Sequence, residues 1–124
     1  MKTLTVVLSL PPRELAPNAR FHWGAKSRVR KKRRADVGMI ALSMCKGSPP
    51  KWIAATVQPT FYVKDRRGLA RDGDNSNAQL KSDLDGLADA GIVENDRCFT
   101  LLPPRIEIDH ETPRLQLEIT EIAP

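Results

Sequence analysis

Two aspartates that stand two positions apart, Asp72 and Asp74, are the residues of this chain best suited to chemistry. In an extended segment, residues i and i+2 point to the same side, so both carboxylates could hold one hard divalent cation. Mg²⁺ prefers a few carboxylates and several waters in octahedral geometry, which suits such a pair, and Mn²⁺ is a possible substitute. Asp96 follows a predicted helix that could fold its carboxylate back toward the pair.

A lysine and a fourth aspartate lie between these carboxylates. Lys81 and Asp85 are four residues apart and would share one face of a helix. A lysine beside metal-bound carboxylates could contact a scissile phosphate or stabilise developing negative charge. Spacing alone leaves a structural interpretation open, because the sequence of residues 72–75 is also typical of a turn. A calcium loop fits less well, since Asn77 replaces the turn glycine and Asp83 the bidentate glutamate.

Charge is divided unevenly along the chain. Residues 1–71 hold 16 Lys/Arg and 3 Asp/Glu, a formal +13, whereas residues 72–124 hold 4 and 12, a formal −8, which together give the net +5. A cationic surface attracts phosphate, and clustered carboxylates repel it unless a cation lies between them. The combination favours metal-assisted chemistry on a nucleic-acid backbone.

The densest positive charge lies in a predicted helix over residues 26–46. Its start is basic all round and favours a phosphate-tracking helix, although a solvated or localisation-like basic patch is the alternative. The aromatic residues Phe21 to Trp23 precede it and could stack on unpaired bases, but plugging the base of the core is the favoured interpretation. The predicted DNA-binding residues are Arg20, Lys26, Arg28, Arg30, Lys31, Lys32, Arg33, Arg34, Arg66, Arg67 and Arg71.

The pattern of apolar residues predicts an α+β fold in a single domain spanning residues 1–124, with a mixed sheet and two helices packed on it. Pro59 predicts that its strand lies at an edge or carries a bulge. Asp109–Pro113 is predicted as a hairpin turn between the last two strands. The predicted order is β-α-β-α-β-β, with strands at 3–10, 52–63, 98–108 and 114–122 and helices at 26–46 and 80–90.

The cysteine count and the apolar segments indicate the cell compartment in which the protein is expected. Two cysteines, Cys45 and Cys98, do not make a disulfide framework, and they have no Cys-x-x-Cys spacing for zinc, so reduced thiols in the cytoplasm are expected. The apolar start of the chain alternates as a strand does and lacks a small-residue cleavage site. No apolar stretch approaches the roughly 20 residues of a membrane span.

A resemblance to the RusA family of Holliday junction resolvases follows from residues 72–96, and the opening Leu10-Pro11-Pro12 also resembles that family. The family pattern is Asp-x-Asp-Asn, a lysine, Asp-x-Leu on a helix, a glycine, and a final aspartate before a strand. Residues 76–78 form a short insertion before the lysine, and Asn95 stands where the family often has another acid. The matching residues are Asp72-Gly-Asp-Asn75, Lys81, Asp85-Gly-Leu87 and Gly91-Ile-Val-Glu-Asn-Asp96.

The resemblance implies a Mg²⁺-dependent homodimeric endonuclease, bacterial or phage-encoded, that nicks four-way DNA junctions in two strands symmetrically and leaves 5′-phosphate ends. Asp72, Asp74 and Asp96 would be the metal-binding catalytic residues and Lys81 the supporting lysine, with no nucleotide cofactor. Asp85 matches a recurrent family position. The alternatives are a non-catalytic protein that binds branched DNA and a broader nuclease acting on flaps or forks; an RNA-binding module lacks its aromatic motif.

Overall fold

The computed structural model describes residues 2–12, 15, 23–67 and 79–123. Five strands and two helices follow one another along this part of the chain, with a short 3₁₀ helix, Asp96–Cys98, after the second helix. The elements are β1 (Thr3–Leu8), α1 (Trp23–Met44), β2 (Ala55–Val63), α2 (Lys81–Asp89), β3 (Phe99–Leu101), β4 (Arg105–Ile108) and β5 (Arg114–Glu121).

The strands form one mixed sheet. Its order is β1-β5-β2, and the short strands β3 and β4 share the far side of β2. β5 pairs antiparallel with both β1 and β2, whereas β3 and β4 run parallel to β2. The predicted α+β class, with a mixed sheet and two helices, is therefore confirmed.

Strict alternation along the strands builds the core. Every second side chain of β2, from Ala55 to Val63, is buried, and Leu115, Leu117 and Ile119 of β5 are buried beside them. The intervening residues are mostly polar and form the opposite face of the sheet, as expected for a sheet with one packed face. Both helices contribute buried apolar residues, Val37 and Leu87 among them, to the same core.

The prediction that Pro59 marks an edge strand or a bulge was wrong, because β2 lies in the interior of the sheet and its register with β5 continues unbroken through Pro59. Val57 and Val63 accept backbone hydrogen bonds from Leu102 and Asp109, so the odd-numbered residues of β2 turn their backbone groups toward β3 and β4. Pro59, which has no N–H, thus faces the interval between these two strands. The neighbouring strand is interrupted where the proline has no donor to offer.

The predicted hairpin at Asp109–Pro113 was also wrong. β4 and β5 lie on opposite sides of β2, so this segment crosses the end of β2 instead of joining neighbouring strands. The Asp109 carboxylate accepts hydrogen bonds from the backbone N–H groups of Glu111 and Thr112 and from Arg114. Arg114 in turn lies 3.8 Å from the centre of the Tyr62 ring, at the end of β2.

The two helices end where glycine permits it. Gly47 after α1 and Gly91 after α2 both have positive φ, at 74° and 96°. This left-handed conformation costs a glycine little and is common just past a helix. The stop predicted at Gly91 is confirmed. No helix in the described part of the chain is long and apolar enough to cross a membrane.

A charged pair lies inside the core between the helices. The side chain of Arg33 on α1 is 7% exposed and that of Asp83 on α2 is 0% exposed, and Arg33 Nε donates to Asp83 Oδ1 at 2.6 Å. Arg33 also donates to the hydroxyl and the carbonyl oxygen of Ser9, just after β1. One guanidinium thus joins α1, α2 and the end of β1. Among the described residues, no buried side-chain nitrogen or oxygen lacks a hydrogen-bond partner.

We expect Asp83→Ala to lower the free energy of unfolding by about 3–5 kcal/mol, because it leaves the Arg33 charge buried without its partner. The double variant Arg33→Met/Asp83→Leu should recover most of this loss, since it removes both charges. Urea denaturation followed by circular dichroism measures both effects.

The exposed pair Lys32–Asp36 provides the matched control for this experiment, since its side chains are joined at 2.8 Å in the same helix. Asp36→Ala should cost less than about 1 kcal/mol, as exposed pairs do. Equal losses from Asp83→Ala and Asp36→Ala would contradict a structural role for the buried pair.

Candidate active site

Lys81 lies at the first position of α2 and connects two carboxylates. Its Nζ donates to Asp85 Oδ1 at 3.2 Å, one turn along the same helix. It also donates to Asp96 Oδ2, fifteen residues further along the chain. The insertion at residues 76–78 therefore does not keep Lys81 away from Asp96. The structure brings together one predicted metal ligand and the predicted supporting lysine.

Asp96 is held in place by the turn that contains it. It is the first residue of the 3₁₀ helix that follows α2. Asn95 caps this helix, and its Oδ1 accepts a hydrogen bond from the Arg97 N–H at 3.0 Å. The side chain of Asn95 is thus occupied by the backbone in this structure.

Hydrogen bonding fixes the charge of both partners. The hydrogen bond from Lys81 lowers the pKa of Asp96 below its ordinary value. The same hydrogen bond raises the pKa of Lys81, with further support from Asp85. At neutral pH the pair is therefore ionised, and an anionic carboxylate is the form that binds a divalent cation.

A second cation extends the cluster toward α1. Arg34 donates through Nε and Nη2 to the two carboxylate oxygens of Asp89, at 2.6 and 2.8 Å. Its Nη1 lies 3.9 Å from Asp85 Oδ2. The hydrogen bond to Arg34 lowers the pKa of Asp89, and the same hydrogen bond raises that of Arg34. Cations and carboxylates alternate here from Asp89 through Arg34, Asp85 and Lys81 to Asp96.

A glycine allows this arrangement by bringing the two helices together. A Cβ on Gly86 would lie 2.7 Å from the Arg34 carbonyl oxygen and 2.9 Å from the Val37 Cβ. Neither distance is sterically acceptable, so only glycine permits this contact. By contrast, a Cβ on Gly38 would lie 3.4 Å from the Gly86 carbonyl oxygen, which is close to ordinary contact. Gly86 therefore sets how closely α2 and its charged residues approach α1.

Gly86→Ala is expected to lower the free energy of unfolding by about 1–3 kcal/mol, because the backbone of α1 cannot move aside without repacking. Gly38→Ala, in the other helix of the same contact, should be neutral or stabilising by up to about 1 kcal/mol from helix propensity. Thermal and urea unfolding of the two variants measure the difference. An equal effect of both substitutions would contradict the close contact at Gly86.

Several of the other predicted site residues lie in the part of the chain that the structure does not describe. Asp72 and Asp74, the remaining predicted metal ligands, lie outside the described residues, as do Arg20 and Arg71. Within residues 2–12, 15, 23–67 and 79–123, no group of three His, Cys, Asp or Glu side chains could hold a metal ion.

Most of the predicted DNA-binding residues that the structure describes are on the surface. The exposed ones are Arg28, Arg30, Lys31, Lys32, Arg34, Arg66 and Arg67, and Lys26 is partly buried. Arg33 requires a correction, because its guanidinium lies in the core and binds Asp83 instead of facing solvent. A basic residue in line with Val37 and Ala41 lies on the buried stripe of α1, whatever the charge of its neighbours.

Trp23, the first residue of α1, also differs from the favoured prediction. It was expected to plug the base of the core, but its side chain is 76% exposed. An exposed aromatic ring that leads into a basic helix is available for stacking on a base. Its neighbours Phe21 and His22 lie outside the described residues.

Sequence patterns did not predict the interaction of Arg34 with Asp85 and Asp89. A signal for the neighbouring buried pair was present: Asp83 falls between Leu80 and Leu87 on the apolar stripe of α2, and a carboxylate there requires a cation. If Arg33 pairs with Asp83, its neighbour Arg34 must point to another side of α1. Which residue Arg34 meets there depends on how α1 crosses α2, and no local sequence pattern predicts that crossing.

The donor set agrees with a hard divalent cation. Asp85 and Asp96 both contact the ammonium group of Lys81, so their oxygens already converge on one positive charge. Carboxylate oxygens are the ligands that Mg²⁺ and Mn²⁺ prefer. Among the predicted metal ligands, the structure describes Asp96, whose carboxylate is of the kind such a cation prefers, whereas Asp72 and Asp74 lie outside the described residues.

The comparison with known proteins identifies a relative but no family. No protein-family model matches the chain. A protein of Xylella fastidiosa (strain Temecula1 / ATCC 700964), described as an uncharacterized protein, is 38% identical to it over 111 residues. The match covers 83% of this chain and 65% of that protein, so the chain spans just under two thirds of the relative's length.

Proposed function

We propose that this protein is a Mg²⁺-dependent endodeoxyribonuclease that resolves four-way DNA junctions by paired symmetric nicks, as the resemblance to the RusA family implies. Its role would lie in DNA recombination and repair in the cytoplasm, in association with the nucleoid. The enzyme would act as a homodimer, because a four-way junction has two-fold symmetry and a C2 dimer supplies two sites at fixed separation.

The contact of Lys81 with Asp96 carries this proposal. These residues are fifteen positions apart, and they come from a helix and from the turn beyond it. A merely local surface ion pair would need only Asp85, one turn away on α2. Convergence on Asp96 as well supports a site that uses the residues of the family pattern together.

Asp72, Asp74 and Asp96 would hold Mg²⁺, which when bound supplies Lewis-acid polarisation of a phosphoryl oxygen and a bound water of lowered pKa. Lys81 would then be free to donate to the phosphate, because its present partner Asp96 would face the metal. A lysine in this position stabilises the negative charge that develops on the leaving oxygen. Asp85 remains beside Lys81 and orients its ammonium group.

The basic start of α1 supports DNA as the substrate. Its exposed cations belong to the same helix as Arg34, which contacts the carboxylates beside Lys81. A duplex lying along this helix would therefore reach the candidate site. Phosphate contacts of this kind position the DNA without reading its sequence.

The central test is incubation of a labelled immobile four-way junction with and without Mg²⁺, analysed on a denaturing gel. Asp74→Asn and Asp96→Asn should each lower the cleavage rate by on the order of 100-fold or more while leaving junction binding intact, because they remove an anionic ligand. Lys81→Ala should lower cleavage as well.

Glu94→Gln is the matched control, since it neutralises an exposed carboxylate two residues before Asp96. It should cleave at the wild-type rate. Wild-type cleavage by Asp74→Asn would remove Asp74 from the mechanism. Binding without any Mg²⁺-dependent nicking would favour the non-catalytic alternative, and equal cleavage of three-way and flap substrates would favour the broader nuclease.

Junction affinity should fall steeply with salt, because DNA phosphates release counterions when Lys and Arg bind them. Arg30→Gln should reduce the slope of log affinity against log salt by about 0.9, the value for one phosphate contact on duplex DNA. Lys51→Gln, which removes an exposed cation outside α1, should leave the slope unchanged. A salt-insensitive affinity would contradict phosphate contact by α1.

A further inference from the structure

The two edges of the sheet differ in how they are protected. At one edge, β3 and β4 are short, are separated by Pro103 and Pro104, and expose the charged residues Arg105 and Glu107. Prolines, charges and interruptions of this kind prevent other strands from pairing with an edge. The opposite edge is β1, whose sequence Thr-Leu-Thr-Val-Val-Leu contains no charge and no proline.

The outer side of β1 carries backbone groups that pair with no other strand in the described part of the chain. The Glu121 N–H donates to the Lys2 carbonyl oxygen, so the even-numbered residues of β1 turn their backbone groups toward β5. Thr3, Thr5 and Val7 therefore turn theirs outward. Among the described strands, only β5 pairs with β1. Val7 is also half-exposed, so its side chain is accessible at this edge.

Apolar side chains of α1 lie along the same edge. Ile40, Met39 and Met44 are all more than a third exposed. A cleft near one end of β1 is lined by Leu8, Asp36, Met39 and Ile40, among others. A second cleft near the other end is lined by Lys2, Leu4, Met44 and Lys46, among others. Exposed apolar residues beside an unprotected strand indicate an interaction surface.

Charged side chains lie at both ends of this edge. The half-exposed carboxylate of Asp36, which also accepts a hydrogen bond from Lys32, belongs to the first cleft, whereas Lys2 and Lys46 belong to the second. An antiparallel copy of β1, related by a two-fold axis at Thr5, would place the first cleft of one chain against the second cleft of its partner. Met44 would then meet Met39 and Ile40 of the partner subunit, and the ammonium groups would face the carboxylate.

We propose that the β1 edge, together with Ile40 and Met44 of α1, is the surface through which two copies of this chain associate. The sheet would then continue across a two-fold axis from β1 to the β1 of the partner. Such an interface is self-complementary, as a C2 dimer requires. The inference rests on the proposed function for its role in paired cleavage, but the association itself can be measured without DNA.

Sedimentation velocity over a range of protein concentrations tests this surface. The wild type should form dimers, and Ile40→Lys should raise the dimer dissociation constant at least about tenfold, because a charge would be buried in the interface. Ile108→Lys is the matched control: Ile108 lies on β4 at the opposite edge and is 41% exposed, compared with 38% for Ile40. It should leave the dissociation constant unchanged.

Hydrogen exchange of the wild type provides a second measurement that needs no variant. The Thr5 and Val7 amides should be protected at concentrations where the dimer forms and should exchange rapidly on dilution. A wild type that stays monomeric, Ile40→Lys with unchanged association, or equally fast exchange of these amides in both states would each overturn the proposal.

The cleavage assay separates this inference from the proposed function. A dimer that depends on Ile40 but does not cut junctions supports the interface and contradicts the nuclease. A monomer that cuts junctions contradicts the interface and leaves the nuclease standing.

Discussion

The buried ion pair between Arg33 and Asp83 is the constraint on which the arrangement of the helices depends. Removing two charges from water costs several kcal/mol per ion, and only good geometry and full hydrogen bonding offset that cost. Arg33 achieves this by binding Asp83 and both oxygens of Ser9. Neither helix can rotate about its axis without leaving a charge unpaired in the core, so the pair fixes the orientation of both.

That orientation determines what the neighbouring residues can reach. Because Arg33 points into the core, Arg34 points to a different side of α1, where it meets Asp85 and Asp89 of α2. Gly86 lets the helices approach closely enough for these contacts. The basic helix and the carboxylates beside Lys81 thereby become parts of one charged surface, although they are far apart in the sequence.

Local pattern predicted the elements well and their pairing less well. Alternation and helical spacing gave five of the six predicted positions to within three residues, whereas the strand predicted at 98–108 forms two short strands, β3 and β4. Gly91 marked the end of α2 because a residue with positive φ follows the helix there. The prediction for Pro59 failed because the interruption that accommodates this proline lies between β3 and β4 and not in its own strand, β2. The Asp109–Pro113 turn was misjudged because sequence neighbours need not be neighbours in a sheet.

The sequence by itself determined the charge asymmetry, the α+β class, and the pairing of Lys81 with Asp85, since each follows from composition or from spacing within one helix. The tertiary structure alone decided that Lys81 meets Asp96, that Arg33 is buried, and that Trp23 is exposed. Each of these depends on how a helix crosses its neighbour or where a turn leads. Such contacts arise from packing over the whole core, which no short stretch of residues specifies.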